Sequence, residues 1–269
     1  MRFGILGPIF VHDDHAPREL PAAKQRILLA ALLLQAGRSV SPEVLADAIW
    51  DGEPPASALV TVRNYVLRLR RALGPAGARI VTGQGGYLIR VEAHEFDVLQ
   101  FAALRRQGTA ALRQGAVEQA ARLLGEAVDL WRGPALADVP SDLLHGGEAS
   151  RLAELRLDTT ELKLEAELRL GAYTSAIAEL RGLTASNPGR EALWAQLMSA
   201  LYRSGRQAEA LAAYHDARRF LIEEFGVEPG PRLRAAQQRI LTAGRHAITA
   251  RPPGAGTAVR RSCTSRSAR

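Results

Sequence analysis

The segment from Ala56 to Leu73 constrains the fold of this chain most, because its apolar and polar side chains separate on a helix. At about 100° per residue, its apolar residues fall on one narrow stripe, which consists of Val62, Val66, Leu69 and Leu73. This pattern predicts a helix that buries the stripe. The opposite side is polar and carries Thr61, Asn64, Arg68 and Arg71, with Arg63 and Arg70 on its flanks.

Charge distinguishes the same part of the chain. Residues 56–90 contain six arginines and no Asp or Glu, although the whole chain has 28 acidic side chains. An acid-free basic surface favours a polyphosphate partner. Arginine and asparagine are also the side chains that read guanine and adenine in a major groove, while flanking arginines reach phosphates. Taken alone, this face is equally well interpreted as an ordinary solvated surface. The elements around it in the sequence decide between that interpretation and a DNA-binding surface.

The surrounding elements predict a winged helix-turn-helix within residues 1–93. Short strands, two helices and a β-hairpin are predicted in the order given by residues 2–11, 18–20, 25–35, 41–50 and 79–91. Ser41 is the expected N-cap of the second helix, and Pro42 occupies its first turn. In this fold the third helix enters the major groove of double-stranded DNA.

Further DNA contacts are predicted outside the third helix. The hairpin tip is glycine-rich, so its polar side chains are limited to Thr82, Gln84 and the hydroxyl of Tyr87. Lys24 and Gln25, at the start of the first helix, are predicted to contact phosphates. Trp50, at the end of the second helix, is interpreted either as a phosphate contact or as a core residue.

From Phe96 onward every segment has a helical pattern, and one motif recurs. A glycine is followed five residues later by an alanine at Gly115/Ala120, Gly171/Ala176 and Gly205/Ala210. The last two copies are 34 residues apart, which is the tetratricopeptide period. Small residues at these positions let paired helices approach closely. An interruption of the array is expected between Arg132 and Gly147.

The predicted fold is therefore mainly α, with an N-terminal winged helix-turn-helix (α+β) and an all-α, tetratricopeptide-like helical repeat domain. The domain boundaries are predicted at residues 1–93, 94–244 and 245–269. The last of these segments contains six arginines and no acid and is predicted to be a disordered basic tail.

Catalytic and metal-binding motifs are absent from the sequence. The six histidines lack metal-ligand spacing, and Cys263 is the only cysteine. No phosphate-binding loop and no nucleophile elbow occur. We therefore expect no enzymatic activity, no cofactor and no metal. Residues 1–11 are apolar but short, and His12-Asp13-Asp14 follows them without a small-residue cleavage site, so no signal peptide is expected. No apolar run reaches the ~18 residues of a membrane span, and a cytoplasmic protein is expected.

The first 93 residues resemble the OmpR-type winged-helix domain of the Streptomyces antibiotic regulatory protein family. The matching segments are Lys24-Gln25-Arg26, Ala48-Ile49-Trp50, Arg68-Leu69-Arg70-Arg71-Ala72-Leu73 and Gly86-Tyr87-Leu88. The second half is similar to that family's bacterial transcriptional activator domain. Its matching segments are Leu130-Trp131-Arg132-Gly133, residues 151–156, residues 200–211 and residues 225–231.

The resemblance implies a transcriptional activator of a secondary-metabolite (antibiotic) gene cluster, located at the nucleoid. It implies a homodimer that binds direct repeats near promoters and recruits RNA polymerase holoenzyme. The third helix would enter the major groove, and Trp50 would approach the backbone. Relatives commonly carry an arginine where this chain has Gly83. The resemblance therefore does not carry over a minor-groove contact by the wing, and more of the affinity is expected to come from the third helix. With neither a receiver nor an ATPase domain expected, the chain resembles the small form of the family.

A different class of function remains as the alternative. A helical-repeat scaffold could use the winged helix to dock on another protein. Such a scaffold would be expected to carry acids on the outward side of the third helix, and this helix has none.

Overall fold

The computed structural model describes residues 1–13 and 17–249, with side chains described as far as residue 242. By its internal contacts the chain divides into two compact units, Met1–Ala172 and Tyr173–Arg269. The boundary predicted between residues 93 and 94 falls inside the first unit. It remains a prediction about how the two segments divide their function.

The first unit begins with a small antiparallel sheet and three helices. The strands are β1 (Arg2–Gly4), β2 (Phe10–His12) and β3 (Pro17–Arg18), paired in that order. The helices are α1 (Ala23–Leu34), α2 (Pro42–Trp50) and α3 (Ala58–Ala72). From Ile27 to Leu33 helix α1 is apolar on every side, and all seven of these residues are buried. A helix of this composition forms the centre of a core.

The second helix begins where its capping sequence predicts. The Ser41 hydroxyl accepts a hydrogen bond from the backbone N–H of Val44 at 3.4 Å, and Pro42 occupies the first turn. The serine hydroxyl pairs with an N–H that the helix itself leaves unpaired. Proline, which has no N–H, gives up no helical hydrogen bond in the first turn. The predicted start of α2 is therefore confirmed.

The wing follows a 3₁₀ turn at Gly74–Arg79. Strands β4 (Ile80–Gly83) and β5 (Gly86–Ile89) form an antiparallel hairpin in which Gly83 pairs with Gly86. The two-residue turn between them requires the positive φ of +85° that Gly85 adopts. Tyr87 also forms both backbone hydrogen bonds with Val40, the residue just before the α2 cap. The wing is thus tied to the loop between α1 and α2.

The remaining elements of the described chain are helical, as the sequence predicted. The first unit continues with α4 (Asp97–Arg113), α5 (Val117–Asp129), α6 (Asp142–Leu144), a π-helical turn (His145–Ala149) and α7 (Ser150–Arg169). The second unit contains α8 (Tyr173–Ser186), α9 (Glu191–Arg203), α10 (Gln207–Phe225) and α11 (Pro231–Thr249). Within the described residues, none of these helices is both long and apolar enough to cross a bilayer.

The repeated glycine–alanine motif has the structural role predicted for it. Each glycine ends a helix with a positive φ, +78° at Gly115, +85° at Gly171 and +77° at Gly205. Each alanine five residues later is fully buried, at Ala120, Ala176 and Ala210. A left-handed residue without a side chain can end one helix, and a small residue lets the next helix pack closely. The predicted interruption also occurs, because residues 130–149 separate α5 from α7.

At its start, the segment predicted to be a disordered tail is helical, so that part of the prediction is wrong. Helix α11 continues to Thr249, so residues 245–249 are helical. Ala and Arg favour a helix, and the first helix-breaking proline after Pro231 is Pro252. The rest of the predicted tail, residues 250–269, lies outside the described residues.

One hydrophobic core of the first unit extends from the winged helix into the segments that follow it. It includes Ile27 and Leu45 from the winged helix and Phe101, Trp131 and Leu152 from the segments that follow. Phe101 meets Trp131 edge to face, with ring centroids 5.6 Å apart. The winged helix therefore shares its apolar interior with α4 to α7.

A buried carboxylate adds polar contacts to this shared core. Asp97, at the start of α4, accepts hydrogen bonds from the backbone N–H groups of Ile5 and Leu6, both at 3.0 Å. It also pairs with Arg132 at 3.1 Å, and the Arg132 guanidinium lies 4.3 Å from the centre of the Phe10 ring. These contacts fix the N-terminal sheet against the helices that follow it.

Candidate nucleic-acid interface

The buried face of α3 is the one that its sequence predicts. Val62, Val66, Leu69 and Leu73 are at most 1% exposed and pack in the core with α1 and α2. The apolar stripe is therefore used completely for packing. The opposite side of the helix is free to meet a partner.

The outward side carries exposed hydrogen-bonding and cationic side chains. Asn64 and Arg71 lie near its centre, and Arg63 and Arg68 lie on either side. All four are exposed, and among the described residues none of the three arginines forms an ion pair. A guanidinium whose donors are unused keeps five N–H groups for a ligand. This side of α3, defined by these four residues, is called the recognition face below.

Thr61 also lies on the polar side of α3, as the sequence predicted, but its side chain is used within the helix. It is half-buried, and its hydroxyl donates to the backbone carbonyl of Ser57 at 3.0 Å. A threonine hydroxyl that bonds one turn back along its own helix has given up its only donor. Thr61 remains a predicted contact.

Arg70 connects the helix to the wing. Its Nε donates to the carbonyl of Ile80 at 3.1 Å, and a terminal nitrogen donates to the Thr82 hydroxyl at 2.9 Å. The guanidinium also lies 5.9 Å from the centre of the Tyr87 ring. These contacts use much of its bonding capacity, so Arg70 positions the wing relative to α3.

The wing presents fewer free side chains than the sequence suggests. Gln84 is exposed at the tip and Thr82 is exposed beside it, although Thr82 accepts from Arg70. Tyr87 is only 8% exposed and contributes to the core. The fold does not require glycine at position 83 for steric reasons, because an added Cβ there would meet no atom within 4 Å.

Lys24 and Trp50 lie together at the end of α2. The Lys24 ammonium donates to the carbonyl of Ile49 and lies 5.9 Å from the centre of the Trp50 ring. A cation is favourable there, because the last carbonyls of a helix are unpaired. Trp50 also packs against Tyr65 of α3, with ring centroids 6.2 Å apart. Both residues therefore support the fold, and Gln25 beside them is half-buried.

Two apolar residues of α3 were missed by the sequence analysis. Val60 is 63% exposed and Leu67 is 46% exposed, and both project on the recognition side of the helix. The signal was present in the same helical projection, since both positions lie opposite the buried stripe.

The described histidines and acidic residues do not form a recognisable metal centre. Within the part of the chain that the structure describes, no three His, Cys, Asp or Glu side chains are grouped so that they could hold an ion. The exposed recognition face is therefore the strongest candidate site among these residues.

The fold and this face define a regulator with a winged-helix DNA-binding domain of the OmpR type. The family described as "Transcriptional regulatory protein, C terminal" matches residues 19–89. The family described as "Bacterial transcriptional activator domain" matches residues 96–241. The two matches cover the winged helix and the helices that follow it.

Individual relatives give the same result. The regulatory protein DnrI of Streptomyces peucetius is 40% identical over 252 residues, which cover 90% of this chain and 93% of DnrI. The regulatory protein AfsR of Streptomyces griseus is 44% identical over 243 residues, but this chain spans only 25% of AfsR. The chain belongs to the Streptomyces antibiotic regulatory protein family.

A solved structure agrees with this assignment. It is described as Mycobacterium tuberculosis EmbR in complex with a low-affinity phosphopeptide. It superposes with a TM-score of 0.85 at 36% sequence identity, covering 90% of this chain and 65% of that chain. The mainly helical fold with an N-terminal winged helix is thus confirmed.

Proposed function

We propose that the protein activates transcription by binding promoter DNA through the recognition face. The supporting observation is that Asn64, Arg63, Arg68 and Arg71 are exposed opposite a fully buried stripe. In the major groove, Asn64 and Arg71 would lie over base edges, where amide and guanidinium groups bond to adenine and guanine. Arg63 and Arg68 would reach the phosphates or bases on either side.

The remaining predicted contacts would orient the protein on the duplex. Gln84, which is exposed at the wing tip, would reach the DNA backbone beside α3. Arg70, Thr82 and Tyr87 would act mainly by holding the wing in position, since they bond to one another or pack in the core. Thr61, Lys24, Gln25 and Trp50 would contribute at most single backbone contacts.

The biological setting follows from the family. We infer that two protomers bind direct repeats near the promoters of an antibiotic gene cluster and recruit RNA polymerase holoenzyme. The protein would act in the cytoplasm at the nucleoid, where such DNA is found. The support is the match to the activator domain and the similarity to DnrI over nearly its whole length.

Salt dependence of binding tests the DNA interface. Full-length protein and a duplex selected from a random library should bind with an affinity that falls steeply with salt. Each neutralised phosphate contributes about 0.9 to the slope of log K against log salt, so several arginine contacts give a slope of about −3 or steeper. Fluorescence anisotropy measures this slope directly.

A control variant distinguishes arginines at the DNA interface from arginines elsewhere on the surface. Arg122→Ala removes an exposed arginine on α5 that is already paired with Glu126 at 2.7 Å, so the slope should not change. Absence of any DNA binding at low salt would contradict the proposal and favour the protein-docking scaffold.

The second unit is expected to be needed for activation. A variant that ends at Ala172 keeps the whole continuous core of the first unit, so it should retain DNA binding. It lacks about half of the matched activator domain and should not stimulate transcription by purified polymerase. Equal stimulation by the truncated and full-length proteins would refute this division of roles.

A further inference from the structure

Helix α3 exposes aliphatic side chains that the proposed function does not explain. Val60 is 63% exposed, and Leu67 is 46% exposed. Large aliphatic residues are normally buried, and an isolated exposed one needs no explanation. Here, however, both lie on the side of the helix that carries the base-reading groups.

The two aliphatic residues lie in one line along the helix with the two central polar residues of the recognition face. Projected at about 100° per residue, Val60, Asn64, Leu67 and Arg71 fall within about 60° of one another. Val60 and Leu67 are separated by seven residues, or about 10.5 Å along the axis. That distance is close to three base-pair steps of about 3.4 Å each. A helix lying in the major groove would place them over two different base pairs.

The major groove has one strongly apolar recognition group, the 5-methyl group of thymine. An aliphatic side chain that meets this methyl removes apolar surface from water on both partners. Against guanine, adenine or cytosine the same side chain would cover polar edges without bonding to them, which is unfavourable. In the major groove, Val60 and Leu67 would therefore favour thymine by attraction and disfavour the other bases by desolvation.

We propose that Val60 and Leu67 are specificity-determining residues that each read one thymine methyl, about three base pairs apart, on either side of the base read by Asn64. This inference rests on the proposed function and extends it from general DNA binding to the base content of the operator. It assigns two positions of the site to apolar readout and leaves Asn64 and Arg71 to read hydrogen-bonding edges.

Replacement of thymine by deoxyuridine tests the proposal, because it removes only the methyl group. Duplexes are first selected from a random library by the full-length protein, and each thymine is then replaced in turn. At two positions about three base pairs apart, the replacement should weaken binding about fourfold, which is ~0.8 kcal/mol for one methyl.

Alanine variants then assign each methyl to a side chain. Val60→Ala should remove the sensitivity at one position and Leu67→Ala at the other, while binding to the uridine duplex stays nearly unchanged. Alanine favours a helix at exposed positions, so both variants should fold. The matched control is Leu59→Ala, because Leu59 is 43% exposed but lies about 100° around the helix from Val60. It should leave both sensitivities intact.

The outcomes separate this proposal from the one on which it rests. If the selection enriches no duplex, DNA binding itself is refuted and the thymine assignment falls with it. If duplexes are enriched but no thymine is methyl-sensitive, only the thymine assignment is overturned. It is also overturned if the sensitivities survive both alanine variants, or if the variants bind the uridine duplex much more weakly than the natural protein binds it.

Discussion

A double variant, Asn64→Ala with Arg71→Ala, is expected to bind its selected duplex about 30-fold to 10⁴-fold more weakly than the natural protein. Each bidentate contact between such a side chain and a base contributes about 1–3 kcal/mol, and every 1.4 kcal/mol is tenfold in affinity. The two residues are about 10 Å apart along α3, so their effects should nearly add. Both are exposed, so the fold should not change.

The measurement compares specific and non-specific duplexes at one salt concentration. The double variant should lose affinity mainly for the selected duplex, because base contacts carry the sequence information. Arg70→Ala provides a contrast, since its guanidinium bonds to Ile80 and Thr82 of the wing. It should weaken all duplexes alike and by a smaller factor. An equal loss on both duplexes for the double variant would assign Asn64 and Arg71 to the phosphates.

Asp97→Ala is expected to have the largest effect on stability, lowering the free energy of unfolding of the first unit by about 3 kcal/mol. The substitution leaves two buried backbone donors, Ile5 N–H and Leu6 N–H, without their acceptor, and each such loss costs about 1–3 kcal/mol. Its partner Arg132 is partly solvated, so the lost ion pair adds less. Burial is the largest influence and raises the pKa of the Asp97 carboxyl above its ordinary value, although the two donors and Arg132 act to lower it.

Urea denaturation followed by tryptophan fluorescence measures this effect, because Trp131 is buried in the core of the first unit and becomes exposed on unfolding. Asp97→Asn should be less damaging, since the amide keeps one acceptor for these donors. The control is Asp129→Ala, which removes an exposed acid at the end of α5 and should change stability by less than about 0.5 kcal/mol. A loss for Asp97→Ala no larger than that of the control would show that the carboxylate does not join the sheet to the helices.

The same substitution bears on the boundary predicted at residue 93. Phe101, Trp131 and Leu152 lie in one core with the winged helix. Sequence patterns cannot show such an arrangement, because it depends on contacts between residues far apart in the chain. The boundary was inferred from a change in local pattern, from mixed strands and helices to helices alone.

The sequence by itself determined the features that depend on neighbouring residues. Periodicity located α3 and its buried stripe, and Ser41 with Pro42 located the start of α2. The glycines at positions 115, 171 and 205 marked helix ends correctly, since a left-handed backbone favours glycine wherever the chain folds. These signals act within one or two turns, so no tertiary information was needed.

Only the tertiary structure decided which polar side chains remain available to a ligand. Arg70 and Arg71 are adjacent and chemically identical, yet Arg70 is bound to the wing and Arg71 is exposed. Tyr87 and Lys24 are likewise used by partners that the chain brings together from other elements. The physical reason is that a hydrogen-bonding group satisfied within the fold has less to offer a duplex, and long-range packing settles which groups are satisfied.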